Sequence, residues 1–226
     1  MTGWVLVTGA AKRIGREIAL DLATHGWDIV IHYHRSGDEA RQLAEEIHAM
    51  GVNACLAEFD LENTKLLENL IPSLAEEIGM IDALVNNASI FEPDDQDPNG
   101  TRHMALNAEA PKNLSKSFRD HLPPREKGVI VNLLDASPAP PHFSHYRRSK
   151  DFLNEMTLNM AKSFAPQVRV NGVAPTYVLK TPRQTEESFQ QMSGGKIIPP
   201  QQVALAVRQL IETPSVTGKI AILEQK

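Results

Sequence analysis

The 226-residue chain has one cysteine, Cys55, few aromatic residues (5%) and no excess of positive charge: 23 Lys and Arg stand against 28 Asp and Glu, a formal net charge of -5. A single cysteine excludes an internal disulfide and a cysteine-rich metal site, and it fits a reducing compartment. The acidic balance argues against a nucleic-acid-binding face. No apolar run approaches the roughly 20 residues of a membrane-spanning helix. The start, Met1-Thr2-Gly3-Trp4, lacks the basic and then apolar pattern of a signal peptide. The expectation is a cytoplasmic protein with no nucleic-acid or membrane partner. The histidines lack ligand spacing, so no metal is expected, and His103, His121, His142 and His145 read as surface or loop residues. Single cores run to roughly 250 residues, so residues 1–226 read as one domain.

What the sequence does hold is an alternation of short apolar runs and amphipathic stretches. Trp4–Val7 reads as a buried strand that breaks at Thr8-Gly9. Ile14, Ile18, Ala19, Leu22 and Ala23 then share one helical face, and Gly26 ends that helix. Asp28–His32 is a second strand. Ser36 and Glu39 have the spacing of a capping box for a helix that runs to Met50 and stops at Gly51. Further strands are expected at Asn53–Phe59, Asp82–Asn86, Val129–Leu133, Arg169–Val173 and Lys219–Leu223. Helices are expected at Asn63–Ile78, Thr101–His121, Tyr146–Ala165 and Val203–Glu212. The stretches 89–100 and 137–141 are proline-bearing loops, and 176–200 is irregular or weakly helical. This alternation predicts βαβ units. Right-handed crossovers then give a single-domain α/β fold: a Rossmann-type doubly wound parallel sheet of about seven strands with helices on both faces. Its ligand should lie beyond the carboxyl ends of the strands.

The first strand runs into TGAAKRIG, Thr8 to Gly15, and then into a helix. A glycine turn at a helix N-terminus is a setting for a diphosphate, with free N–H groups facing the anion. Lys12 and Arg13 add positive charge. The spacing is not that of GxGxxG, and Arg13 stands where a middle glycine would be expected. At the end of the second strand, Arg35 and Ser36 suit a 2′-phosphate better than a bare ribose hydroxyl, which usually meets an acid there. Tyr146 and Lys150 are four apart on one helix face. An ammonium beside a phenol lowers its pKa, which yields a usable proton donor.

Together these residues resemble the short-chain dehydrogenase/reductase family. The resemblance rests on TGAAKRIG, Asp60 after strand three, NNAS (Asn86 to Ser89), Asn107, the Tyr146/Lys150 pair and RVNGVAP (Arg169 to Pro175), in the family's order and over nearly the whole chain. It implies an NADPH-dependent oxidoreductase. Tyr146 would be the acid/base, Lys150 would lower its pKa and hold the nicotinamide ribose, and Asn107 would orient a water in the proton relay. Cofactor contacts would come from Gly9, Lys12, Arg13, Ile14, Gly15, His34, Arg35, Ser36, Asp60, Leu61, Asn87, Ala88, Tyr146, Lys150, Pro175 and Val178. A homo-oligomer, dimer or tetramer, would be expected.

Most family members carry a serine at the end of strand five, where VNLLDAS places Asp135. An ionised aspartate only accepts hydrogen bonds and would repel a developing alkoxide. It makes sense against a C=N bond, where a proton must reach nitrogen. TGAAKRIG, HYHRS (His32 to Ser36) and NNASIF (Asn86 to Phe91) are similar to motifs of the pteridine reductase branch. That resemblance assigns Arg13, Ser89, Phe91, Asp135 and Tyr146 to the substrate, with the Phe91 ring stacked on a pterin. The implied reaction is reduction of a dihydropteridine: dihydrobiopterin, dihydromonapterin or dihydrofolate. A carbonyl substrate, such as a 3-oxoacyl thioester or small ketone, is one alternative. A non-catalytic NADPH-binding regulatory protein is the other. The chain departs from the family pattern in several places, the usual Asp-Gly-Gly ending, here Glu224-Gln225-Lys226, among them. Asp135 and Tyr146 are eleven apart where thirteen is usual, Thr176 follows Pro175 in place of glycine, and Lys180 falls where a threonine usually meets the carboxamide. Segment 176–200 is expected to be the substrate lid, with Phe189 and Met192 setting specificity.

Overall fold

The structure is a computed structural model and describes residues 3–63, 67–138, 141–181 and 184–225. Among these residues seven strands form one sheet: β1 (Trp4–Val7), β2 (Asp28–Tyr33), β3 (Ala54–Glu58), β4 (Ile81–Asn86), β5 (Gly128–Leu133), β6 (Val168–Pro175) and β7 (Ile220–Leu223). The order is β3-β2-β1-β4-β5-β6-β7, with every pair parallel. The helices are α1 (Arg13–Thr24), α2 (Gly37–Ala49), α3 (Leu67–Ile78), α4 (Thr101–Met104), α5 (Ala110–His121), α6 (Ser144–Ser163), α7 (Glu186–Ser193) and α8 (Pro200–Glu212).

Strand periodicity divides the core into two layers. Val5 and Val7 face Ile18, Leu22, Leu43, Ile47, Val207 and Leu210 of α1, α2 and α8. Leu6 and Leu84 face the other way, onto Leu70, Leu74, Leu114, Phe118 and Met160 of α3, α5 and α6. Both faces are covered, as a parallel sheet requires. The doubly wound fold read from the sequence is the fold observed. Strand order reverses between β1 and β4, and the crevice above their carboxyl ends is where such sheets bind ligands.

Four local expectations need correction. The capping box does not form: Ser36 sits at the helix start without a side-chain cap, and Glu39 reaches Lys12 Nζ at 2.6 Å instead. A charge-assisted bond wins over a neutral backbone donor. The expected helix over 101–121 is broken by a π-turn, Ala105–Glu109, between α4 and α5. Pro111 has no N–H for the Asn107 carbonyl, so the regular ladder fails there and the turn widens. Segment 176–200 holds an ordered helix, α7, with Thr185 Oγ1 accepting from Ser188 N–H at 3.1 Å and Gly194 closing it at φ +59°. Thr176 has no positive φ, so the missing glycine costs nothing there. The start of the expected third helix, residues 64–66, and two residues of the expected 137–141 loop, Ala139 and Pro140, lie outside the described residues, as do Met1 and Thr2.

Candidate active site

The glycine turn after β1 is held from three sides. Gly9 sits at φ +63°, and its N–H donates to His32 Nδ1 at 3.1 Å. Because Nδ1 accepts, the proton of the neutral ring is on Nε2, which donates to the Phe59 carbonyl at 3.1 Å. Burial pushes His32 down to about 4, so the ring stays neutral. Just after β4, Asn87 Nδ2 donates to the carbonyls of Thr8 (2.8 Å) and Gly9 (3.2 Å). Thr8 Oγ1 accepts from the N–H groups of Asn87 and Ala88. A Cβ at Gly15 would stand 2.2 Å from the Gly9 carbonyl oxygen, so α1 can start this close to the turn only with glycine. Arg13, in the middle position, takes φ +57°. An arginine is thus held in the left-handed region that glycine normally occupies, a strained state typical of ligand sites. Its guanidinium donates to the carbonyls of Lys180 (2.8 Å) and Leu179 (3.4 Å), which ties the turn to segment 176–200.

The second half of the site rests on α6. Asp94 accepts from Ser144 N–H, Ser144 O–H and His145 N–H, and so caps the helix one turn before its functional face. Tyr146 is buried, and its hydroxyl donates to Asp135 Oδ2 at 2.5 Å. Asp135 also accepts Ser137 N–H (2.7 Å) and Ser137 O–H on Oδ1. Burial and the adjacent carboxylate raise the Tyr146 phenol well above its ordinary value. The expectation that Lys150 lowers it is therefore corrected. The Lys150 ammonium lies 5.8 Å from the Tyr146 ring centroid and donates to the Leu133 carbonyl at 2.9 Å. Burial brings Lys150 itself down to about 8.

Asn107 is fully buried in the π-turn. Its Oδ1 accepts from Ser89 O–H (3.1 Å) and Ile90 N–H (2.9 Å); its Nδ2 donates to the Ile90 carbonyl (3.0 Å) and Ser149 Oγ (3.1 Å). All four positions of the amide are used. The side chain is a strut between the NNAS loop and α6, and it has nothing left with which to orient a relay water. The Phe91 ring stacks on Phe143 with centroids 4.3 Å apart and meets Tyr146 edge-on at 4.6 Å. One face of the ring expected on a substrate is thus covered by Phe143.

These groups line one cavity of about 440 Å³, within the usual range for small-molecule sites. Gly9, Lys12, Arg13, Ile14, Gly15, His34, Asp60, Leu61, Asn87, Ala88, Ser89, Phe91, Asp135, Tyr146, Lys150, Pro175 and Val178 all contribute to its wall. Arg35, Ser36 and Asn107 do not. Phe189 and Met192 line it from α7, and Thr181 also lines it, one position beyond Lys180. Lys180 turns outward to Glu186, 3.5 Å away. His32 was missed, although a histidine inside the apolar run DIVIHY signals a buried partner. His103 is a correction too. It is fully buried, its Nδ1 lies 2.8 Å from Asp97 Oδ2, and its Nε2 accepts Glu92 N–H at 3.3 Å. Asp97 and Glu92 both lie in the loop before it, so the ring pins that loop and the aromatic residues beside it. Among the described residues no helix is long and apolar enough to cross a membrane.

A family model described as short chain dehydrogenase matches residues 3–192. The chain is 35% identical to FolM alternative dihydrofolate reductase 1 from Brucella canis, crystallised in complex with NADP. The TM-score is 0.90, over 97% of this chain and 91% of that one. The Brucella suis counterpart, also with NADP, gives 36% identity and a TM-score of 0.89, over 97% and 92% of the two chains. The 3-oxoacyl-[acyl-carrier-protein] reductase FabG of Staphylococcus aureus is 28% identical over 201 residues, which cover 85% of this chain and 82% of that protein.

Proposed function

This chain belongs to the short-chain dehydrogenase family, and on that premise we propose that it reduces a dihydropteridine (dihydrobiopterin, dihydromonapterin or dihydrofolate) at the expense of NADPH. It is an NADPH-dependent oxidoreductase. The observation that carries the finer reading is the Tyr146–Asp135 bond of 2.5 Å, a proton donor set against an acceptor-only carboxylate. The relation to two NADP-bound alternative dihydrofolate reductases supports it.

The cavity fits a dinucleotide. The bare cradle at Gly9, with its φ of +63°, and Gly15, where a Cβ would strike the Gly9 carbonyl, together with the N-terminus of α1 would hold the diphosphate. Asp60 and Leu61 would flank the adenine, while Lys12, His34, Arg35 and Ser36 would serve the 2′-phosphate end. Arg35 and Ser36 would have to approach from outside the present cavity wall. Asn87, Ala88, Pro175 and Val178 would line the path to Tyr146 and Lys150, which would hold the nicotinamide ribose. When bound, NADPH supplies the hydride. The chain's own residues manage the proton. Tyr146, kept protonated by burial and by the Asp135 charge, delivers it to the ring nitrogen next to the reduced carbon. Asp135 accepts a hydrogen bond from a ring N–H or amino group as the Tyr146 proton leaves. Arg13, Ser89 and Phe91 complete the substrate wall. Segment 176–200 acts as the lid, with Phe189 and Met192 on its inner side.

The kinship with 3-oxoacyl reductases favours a second reading, a carbonyl substrate, but an ionised Asp135 beside a developing alkoxide is repulsive. NADPH oxidation measured with dihydrobiopterin, dihydrofolate and an acetoacetyl thioester, with NADH as control, separates the two. Turnover of pterins alone is the expected result, and turnover of the thioester alone overturns the reading. Homo-oligomer formation is part of the proposal: light scattering should return a mass above that of the 25.0 kDa chain.

A further inference from the structure

We propose that Arg147 is a positioning residue of this active site: it fixes the Asp135 carboxylate, and the short turn that carries it, against the Tyr146 hydroxyl. The proposal rests on the reading of Asp135 and Tyr146 given above. Arg147 follows Tyr146 on α6 and is half-buried. One guanidinium nitrogen, Nη1, donates to the Asp135 carbonyl at 3.1 Å, and the other, Nη2, donates to the Ser137 carbonyl. Nη2 also stands 3.8 Å from Asp135 Oδ1. A single planar fork thus spans both ends of the Asp135–Ser137 turn and neutralises the charge inside it, which a lysine could not do in one geometry.

The carboxylate needs such a partner. Its side chain is only 14% exposed, and a buried carboxylate without a counter-charge is costly. Lys150 also feels the Asp135 charge, but the hydrogen bond its ammonium makes is to the Leu133 carbonyl, not to the carboxylate. The ion pair that Asp135 makes is with Arg147. The remaining charged neighbours on this side are Asp151, 3.8 Å from Nη1, and Lys150, with the neutral Tyr146 phenol bonded to the carboxylate. Arg147 is also the cation that acts on Tyr146 and Lys150: its positive charge lowers both. The turn carries the carboxylate that accepts the Tyr146 hydroxyl, so a shift of the turn moves that acceptor away from the hydroxyl. A clamp on that turn therefore governs where the proton sits.

The test compares Arg147→Met, Arg147→Lys and, as a charge control, Arg148→Met at the neighbouring exposed arginine. Arg147→Met should lower kcat for pterin reduction by roughly ten- to a hundredfold, since a small misplacement costs that much, with NADPH affinity unchanged. Arg147→Lys should recover part of the loss, and Arg148→Met should behave as the parent. A second readout needs no substrate. Carbon-13 NMR of labelled lysine, assigned with Lys150→Arg, should show the Lys150 titration, near 8 in the parent, moving upward in Arg147→Met. If no pterin is reduced by the parent, the functional reading fails, but the Lys150 titration still decides the role of Arg147. An unmoved Lys150 titration in a variant that still binds NADPH overturns the proposal. If Arg147→Met does not fold, Arg147→Lys carries the same two measurements, and parent-like kcat and titration there overturn the claim that both carbonyls must be held.

Discussion

Tyr146 keeps its proton at neutral pH and holds it more tightly than a free phenol does, so it enters the reaction as the acid form. Its hydroxyl is buried, and the nearest charge it meets is the Asp135 carboxylate, so the phenol is the stable form well above its ordinary range. Tyr146→Phe should therefore lower turnover by roughly two to four orders of magnitude, the usual worth of a positioned acid. The dissociation constant for NADPH should stay within a few-fold of the parent, as read by fluorescence titration. Asp135→Asn removes the charge but keeps the shape. Steady-state rates should fall for pterins more than for a carbonyl substrate, because a neutral amide can donate to an alkoxide and the carboxylate cannot. Equal pterin rates in parent and variant would remove the chemical reason for a C=N substrate. At this scale the sequence was informative about identity and misleading about sign. Helical spacing correctly set Tyr146 and Lys150 on one face, but it could not show that Lys150 is tied to the Leu133 carbonyl. Nor could it show that the charge next to the phenol comes from the strand-five loop.

The turn between β1 and α1 was legible because the constraint is local. Gly9 is dictated by its left-handed φ of +63° and Gly15 by backbone meeting backbone, and a reader of TGAAKRIG needs nothing else. The prediction at this scale is Gly15→Ala. Its added Cβ would lie 2.2 Å from the Gly9 carbonyl oxygen and 2.6 Å from Asn87 Nδ2, so the turn must open. Overpacking of this kind costs about 1–3 kcal/mol. NADPH binding should weaken by tenfold or more, checked by calorimetric titration, while the far-ultraviolet circular dichroism stays that of the parent. Elements set by distant partners were harder to read. Ser36 and Glu39 have the right spacing for a cap, and the cap is lost because Lys12 comes from another element to claim Glu39. The interrupted helix over 101–121 had its signal in Pro111, which reads as an ordinary first-turn proline until the Asn107 carbonyl is seen to lack its donor. His103 passed for a surface residue because its partners, Asp97 and Glu92, lie in a loop whose path the sequence does not specify.

Over the whole molecule, the two apolar layers on the faces of the sheet were readable from periodicity, whereas the polar pins that join strand ends were not. His32 is the clearest of these pins, since it links β1, β2 and the end of β3 through Gly9 N–H and the Phe59 carbonyl. Its burial makes it an element of global stability with a definite pH dependence. The folded value of about 4 lies below the ordinary 6.5. Between those limits the unfolded chain binds a proton that the folded chain refuses, so stability rises with pH across the window and is lost as pH falls through it. Above about 6.5 both states hold a neutral ring and the effect vanishes. Below about 4 it has reached its full size, roughly 3 kcal/mol for a difference of this extent. Urea unfolding of the parent at pH 7, 5.5 and 4.5 should show this decline. His32→Gln keeps one acceptor for Gly9 and one donor for Phe59 but cannot be protonated. Its decline over the same range should be smaller, and the difference between the two curves isolates His32 from the carboxylates that titrate further down. Parallel curves would mean that the ring accepts its proton in place. In that case the Gly9 N–H bond would not be what holds the phosphate turn against the sheet.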